Sequence, residues 1–171
     1  NMHTSTSPQY AMIASLDVAR KQMSMEGFMQ LSRCIDISTR LREGINSTGV
    51  FRVLELQDML PEELQNDGIR LDPSKLSIDI SGAAISAREL QLELFESYGI
   101  QVEKVTHNTL SVLVTLGSTE SKVLRLLNAF QKISRTVSTV KTLKSRTVPP
   151  LPQLSAFHVL PREAYFGRAK E

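Results

Sequence analysis

Four consecutive hydroxyl side chains, Thr4, Ser5, Thr6 and Ser7, stand directly before Pro8, and an apolar, alanine-rich run follows. Ser7 is a good N-cap, and Pro8 suits the first helical position, where its missing N–H costs nothing. A helix N-terminus presents unpaired N–H groups and a partial positive charge, so this cluster has the chemistry to hold a phosphate. It also reads as an ordinary cap with a Ser/Thr-rich lead-in. The second residue with chemical potential is Glu103, in Gln101-Val102-Glu103-Lys104. One reading aims its carboxylate into a site that holds a cation. The other makes it a surface strand glutamate paired with Lys104 or a cross-strand neighbour. Periodicity alone does not choose its face.

The remaining inventory excludes several classes. His3, His107 and His158 lie far apart, and none has a metal-ligand companion at useful spacing. There is no P-loop, no GxGxxG and no GxSxG elbow. The single cysteine, Cys34, allows no internal disulfide and reads as a helix residue near the core, so a reducing, cytoplasmic setting is expected. With 20 basic and 18 acidic residues, the net charge of +2 gives no argument for a nucleic-acid surface. No apolar run approaches the roughly 20 residues of a membrane span. The first residues lack the basic-then-apolar pattern of a signal peptide. The chain is expected to be truncated, since it begins inside a motif and breaks off shortly after another.

The elements that must position these residues follow from patterning. Pro8 to about Met23 reads as a helix, apolar on most of its circumference and therefore made for burial on several sides. Met25-Glu26-Gly27 reads as a break. A second helix is expected from Phe28 to about Ile45, with Phe28, Leu31, Ile35, Ser38, Leu41 and Ile45 inward and Gly44 and Gly49 at its end. Val50 to Leu56 is a candidate short strand, and Asp58 to Leu71 is irregular. Lys75 to Ser81 alternates cleanly, with Leu76, Ile78 and Ile80 on one face. Ser86-Ala87-Arg88-Glu89 is a capping box that opens a helix to Tyr98, stopped by Gly99. Gln101–Thr106 and Thr109–Leu116 are strands joined by His107-Asn108. Ser118 or Thr119 caps a last helix to about Val137, and 138–152 reads as an extended linker. The fold class is α+β: a small β-α-β-β-α domain, with an antiparallel or mixed sheet, after a helical lead-in.

Several of these stretches together resemble the bacterial Orn/Lys/Arg decarboxylase family. His3 to Tyr10, followed by Ile13-Ala14-Ser15-Leu16-Asp17, is similar to the segment after that family's cofactor lysine. Leu71-Asp72-Pro73-Ser74-Lys75-Leu76 resembles its "DP-K" strand opening, and Tyr98-Gly99-Ile100-Gln101-Val102-Glu103-Lys104 its "GI-VEK" strand. Leu160-Pro161-Arg162-Glu163-Ala164-Tyr165-Phe166 is similar to its "PREAFF" motif. The four fall in the family's order across nearly the whole chain. Ile80-Ser81-Gly82 stands where the family usually has Thr-Pro-Gly.

The resemblance implies a pyridoxal 5'-phosphate enzyme of the aspartate-aminotransferase-like fold that decarboxylates lysine, ornithine or arginine to a diamine or agmatine, in polyamine biosynthesis. It implies a division into the end of the large cofactor domain at 1–26, a small domain at 27–140 and a lead into the C-terminal region at 141–171. In such homodimers the hydroxyl motif reaches the cofactor phosphate of the neighbouring subunit, a role that falls here to Ser5, Thr6 and Ser7. The glutamate of the "VEK" motif lies near the substrate's distal amino or guanidinium group, a role that falls to Glu103. The lysine that carries the cofactor lies upstream of the hydroxyl motif in the family and is not among these residues, so the chain alone is expected to be inactive. The element order also suits a stand-alone, non-catalytic α+β domain of ACT-like or ferredoxin-like type that binds a small ligand or a partner. An aminotransferase of the same fold is a third reading, against which the "VEK" and "PREAFF" resemblances argue.

Overall fold

A computed structural model describes residues 9–137 and 158–167. Ser5, Thr6 and Ser7, and the expected linker at 138–152, lie outside the described residues.

The first element is a single helix, α1, running Tyr10–Asn46. It passes straight through the expected break at Met25-Glu26-Gly27. A glycine inside a helix costs only about 1 kcal/mol relative to alanine, and no proline stands nearby to remove a hydrogen bond. Gly27 is instead covered by the Met23 side chain one turn back, and Gln30 donates to Glu26 at 3.0 Å across the same turn. The N-cap is Gln9, without a side-chain cap bond, rather than the Ser7 expected from the hydroxyl cluster.

The inward stripe of α1 also differs from expectation. Phe28, Leu31 and Ile35 are exposed; Cys34, Ile37, Ser38, Leu41 and Ile45 are buried. The first set follows a helical period, but so does the second, one step around the helix, and only packing decides between them. Ser38 is satisfied by donating to the Cys34 carbonyl at 2.7 Å. Gly44 lies inside the helix, not at its end, because Leu127 packs against the position where a Cβ would stand. Gly49, at φ +69°, turns the chain out of it.

After α1 come β1 (Arg52–Val53), a one-turn helix α2 (Leu56–Met59), β2 (Lys75–Asp79), α3 (Ala87–Tyr98), β3 (Lys104–Val105), β4 (Thr109–Leu113) and α4 (Glu120–Thr136). The strands form one sheet in the order β1-β2-β4-β3, antiparallel throughout. A last short helix, α5 (Pro161–Phe166), covers the "PREAFF"-like motif, and its residues are exposed. The fold is therefore the expected α+β class.

Several local readings hold in detail. Ser86 and Glu89 form the reciprocal capping box: the Glu89 N–H donates to Ser86 Oγ at 3.2 Å and the Ser86 N–H to Glu89 Oε2 at 2.8 Å. Gly99 ends α3 in the left-handed region at φ +63°. Leu76, Ile78 and Ile80 are fully buried, as the alternation of β2 requires. The core lies between one sheet face and the helices, with α1 and α3 against the strands and α4 against both helices. Phe51 and Phe130 meet edge to face at 5.1 Å near its centre. The opposite sheet face is met by α2 at its β1 edge, where Asp58 holds Arg52 at 2.8 Å, and neither α1, α3 nor α4 covers it.

Candidate functional site at the bulged edge strand

That uncovered face is polar because the strands alternate. Cross-strand partners share a face, so the register Arg52↔Asp79, Ser77↔Ser111 and Lys104↔Ser111 gathers Arg52, Asp79, Ser77, Ser111 and Lys104 on one side. The same register places Val53, Ile78, Leu110 and Val105 toward the helices.

Strict alternation from Lys104 would send Glu103 to the helix-covered face. A β-bulge prevents this. The Glu103 N–H donates to the Ser111 carbonyl at 3.0 Å, while Lys104 is the register partner of the same Ser111. Two residues of the β3 edge thus answer one residue of β4, the arrangement that re-aims side chains at sheet edges. Burial agrees: Val102 is buried, Glu103 and Lys104 are both exposed, and Val105 is half-buried. The face of Glu103, which periodicity left open, is settled by this extra residue. The signal was present in the sequence as two consecutive polar residues between Val102 and Val105, where a regular strand admits one.

No ion pair of Glu103 occurs among the described residues, although Lys104 is its neighbour. Other carboxylates are engaged. Glu120 holds Arg40 at 3.0 Å, and Glu55 holds Arg42 at 2.8 Å. Asp58 accepts from the Glu55 N–H and from Arg52, and these bonds hold its carboxyl below the usual range. The hydrogen bond to Asp58 raises Arg52 in turn, with a further contribution from Asp79 on the same sheet face. Ser74 donates through both Oγ and N–H to Asp72, which is lowered for that reason. Asp79 accepts from the N–H and Oγ of Ser81. Glu103 is thus an exposed carboxylate on the open face with no ion-pair partner among the described residues.

Two arginines of α1, both missed by local sequence reading, fix the far end of β4 and the start of α4. Arg33 donates to the Ser118 carbonyl at 2.9 Å, and Arg40 forms the ion pair with Glu120. A cleft of about 280 Å³ opens between α1, α4 and the end of β4, with Ile37, Leu41, Val123 and Leu126 inside and Lys122 and Arg125 among its walls. No carboxylate lines it, and Lys122 and Arg125 give its walls positive charge, which disfavours a cationic group. Among the described residues no cluster of three His, Cys, Asp or Glu could hold a metal ion, and no helix is long and apolar enough to cross a membrane.

The sequence pattern of the Orn/Lys/Arg decarboxylase major domain matches residues 1–122. The chain therefore belongs to the Orn/Lys/Arg decarboxylase family. The arginine decarboxylase of Bacillus cereus is 29% identical over 99% of this chain, and that of Bacillus subtilis 26% identical over 99%. The chain spans 36% and 34% of those proteins, about a third of their length. Among solved structures, the constitutive lysine decarboxylase of E. coli superposes with a TM-score of 0.60 at 22% identity, over 78% of this chain and 23% of that one. The Francisella novicida lysine decarboxylase gives 0.61 at 21% identity over the same shares. At that identity the two structures bear on the fold.

Proposed function

We propose that this chain is part of a pyridoxal 5'-phosphate-dependent decarboxylase of a basic amino acid, yielding a diamine or agmatine for polyamine biosynthesis. Family membership supports the reaction class, and the exposed carboxylate of Glu103 on the open sheet face, without an ion-pair partner among the described residues, carries the assignment to this chain. Bound pyridoxal phosphate supplies the electron sink for loss of CO2. The residues of this chain bind at the two ends of that chemistry.

At the cofactor end, Ser5, Thr6 and Ser7 donate to the phosphate, in the proposed homodimer that of the neighbouring subunit. The start of α1 fits an anion. Among the described residues its N-cap makes no side-chain bond and its first turn holds no acidic residue, which suits a negatively charged group at this end. A hydrogen bond to a charged oxygen contributes about 1.5–3 kcal/mol, so loss of one hydroxyl weakens cofactor retention without abolishing it. At the substrate end, Glu103 pairs with the distal ammonium or guanidinium group. Once the site is closed to water, removing that partner costs about 2–5 kcal/mol.

The proposed division places 1–26 at the end of the large domain, 27–140 in the small domain and 141–171 toward the C-terminal region. The leading half of α1 supports the first boundary. Tyr10, Met12, Ile13, Leu16, Val18, Met25 and Phe28 are all more than half exposed and lie around most of the circumference, the remaining arc carrying Ser15, Gln22 and Glu26. A helix apolar on most of its circumference suits burial in a larger body. The buried stripe that joins the small domain starts only at Cys34. We place the enzyme in the cytoplasm, where Cys34 stays reduced, and expect this chain alone to be inactive because it lacks the cofactor lysine.

The test is a decarboxylation assay of the complete protein with lysine, ornithine and arginine, with and without added pyridoxal phosphate, repeated with Glu103→Gln. The expected result is turnover of one of the three that depends on the cofactor, and a strongly raised KM in the variant with unchanged cofactor absorbance. An unaltered KM would remove Glu103 from the site.

A further inference from the structure

The outward aim of Glu103 depends on a register that β3 by itself is too short to hold. The strand is two residues long, lies at the sheet edge and shares only two register pairs with β4. Slippage by one residue would exchange its faces and turn Glu103 toward the helices. The other end of the hairpin is closed by an unusual concentration of bonds. The hydroxyls of Thr106 and Thr109 lie 2.6 Å apart. The Thr109 N–H donates to Thr106 Oγ1 at 3.2 Å, and the Thr106 N–H donates to the Thr109 carbonyl at 2.9 Å. Between them the Asn108 carbonyl accepts from the Ile80 N–H at 3.0 Å, tying the turn to the end of β2.

We infer that Thr106 and Thr109 are positioning residues for Glu103: their hydroxyl latch fixes the hairpin register that keeps the Glu103–Lys104 bulge over Ser111 and so sets recognition of the substrate cation. The inference rests on the reading of Glu103 as the partner of that cation. Neither threonine touches the substrate. Their effect passes through the backbone, two residues from the bulge in β3 on one side and two residues from Ser111 in β4 on the other. Valine has the shape and β preference of threonine without the hydroxyl, so Thr106→Val with Thr109→Val removes the latch and little else.

In the complete decarboxylase this double variant raises KM for the basic amino acid, up to the roughly 100-fold that a displacement of about 1 Å can cause, while cofactor absorbance stays that of the parent. Thr106→Ser with Thr109→Ser keeps both hydroxyls and restores the parent KM. Added to Glu103→Gln, the valine pair gives no further rise. If Glu103→Gln alone leaves KM unchanged, the reading of Glu103 fails and this inference fails with it. If Glu103→Gln raises KM and the valine pair does not, the latch alone is overturned. Should the valine pair not fold, Thr109→Val keeps the bond from its N–H to Thr106. Amide exchange at Glu103 and Lys104 then reads the register directly: faster exchange upholds the latch, and unchanged protection overturns it.

Discussion

Gly44 and Leu127 set how closely α1 and α4 approach, and their coupling can be worked out from the geometry. Glycine in a helix interior is about 1 kcal/mol less favourable than alanine, so Gly44→Ala judged on helix propensity alone should stabilise. A Cβ at this position, however, would stand 2.5 Å from Leu127 Cδ2, with Cδ1 and Cγ both at 3.5 Å. Only the Cδ2 contact is a clash, the other two being ordinary van der Waals distances, so the Leu127 side chain must turn or shift its Cδ2 out of the way. Overpacking of this kind costs about 1–3 kcal/mol. The two effects oppose, and Gly44→Ala is expected to destabilise by up to about 2 kcal/mol. Leu127→Ala removes the obstacle. In that background Gly44→Ala recovers its propensity and stabilises by about 1 kcal/mol, giving a coupling of about 1–3 kcal/mol between the sites. Urea unfolding of the four members of the cycle measures it. If Gly44→Ala stabilises both backgrounds equally, to within about 0.5 kcal/mol, the glycine does not govern the α1–α4 approach and the reasoning is wrong.

Other expectations concern the core, the acid limb and a surface pair. Phe130 is fully buried against Phe51, so Phe130→Ala should cost about 3–5 kcal/mol in denaturant unfolding. Asp58 and Asp72 have lowered carboxyl pKa values in the folded chain. Their contribution to stability is complete above the ordinary carboxylate range and is lost as pH falls through the lowered folded values, because protonation then occurs in both states. Asp58→Asn combined with Asp72→Asn should therefore flatten the acid side of a thermal-stability profile and leave its alkaline side unchanged. Arg40 and Glu120 pair in the open, both about half exposed; Glu120→Gln should change stability by less than about 1 kcal/mol, read from the same urea curves.

What the sequence disclosed, it disclosed where a local rule acts alone. Ser86 with Glu89 and Gly99 delimit α3 because capping chemistry involves neighbours only a few residues apart. The alternation of Leu76, Ile78 and Ile80 needs only one covered face. The resemblance rested on short motifs, and the match over residues 1–122 agrees with it. Where competing rules act, local pattern and structure part. Gly27 has the local signature of a stop, but its small cost is outweighed by the hydrogen bonds of an uninterrupted helix. Phe28, Leu31 and Ile35 have the spacing of a core stripe; which of two adjacent stripes is buried depends on where β1 and β2 lie, and no local pattern carries that. Bonds such as Arg33 to Ser118, across 85 residues, exist only after folding. For the candidate site, Glu103 was singled out by residue type and motif, but its facing depends on one extra residue in a two-residue strand. The hydroxyl motif remains a reading from sequence.

The unbroken course of α1 has a mechanical consequence. At 1.5 Å per residue the helix is roughly 55 Å long, and about 36 Å of it precedes Cys34. A rod of that length behaves as a lever. A rotation of about 5° where it joins the sheet moves its far tip by roughly 3 Å. Neither proline nor a turn interrupts the shaft at Gly27, so a force applied at the tip is carried to the sheet by bending of the helix and not by rotation about a hinge. The resting angle of the shaft is therefore elastically restored rather than freely hinged.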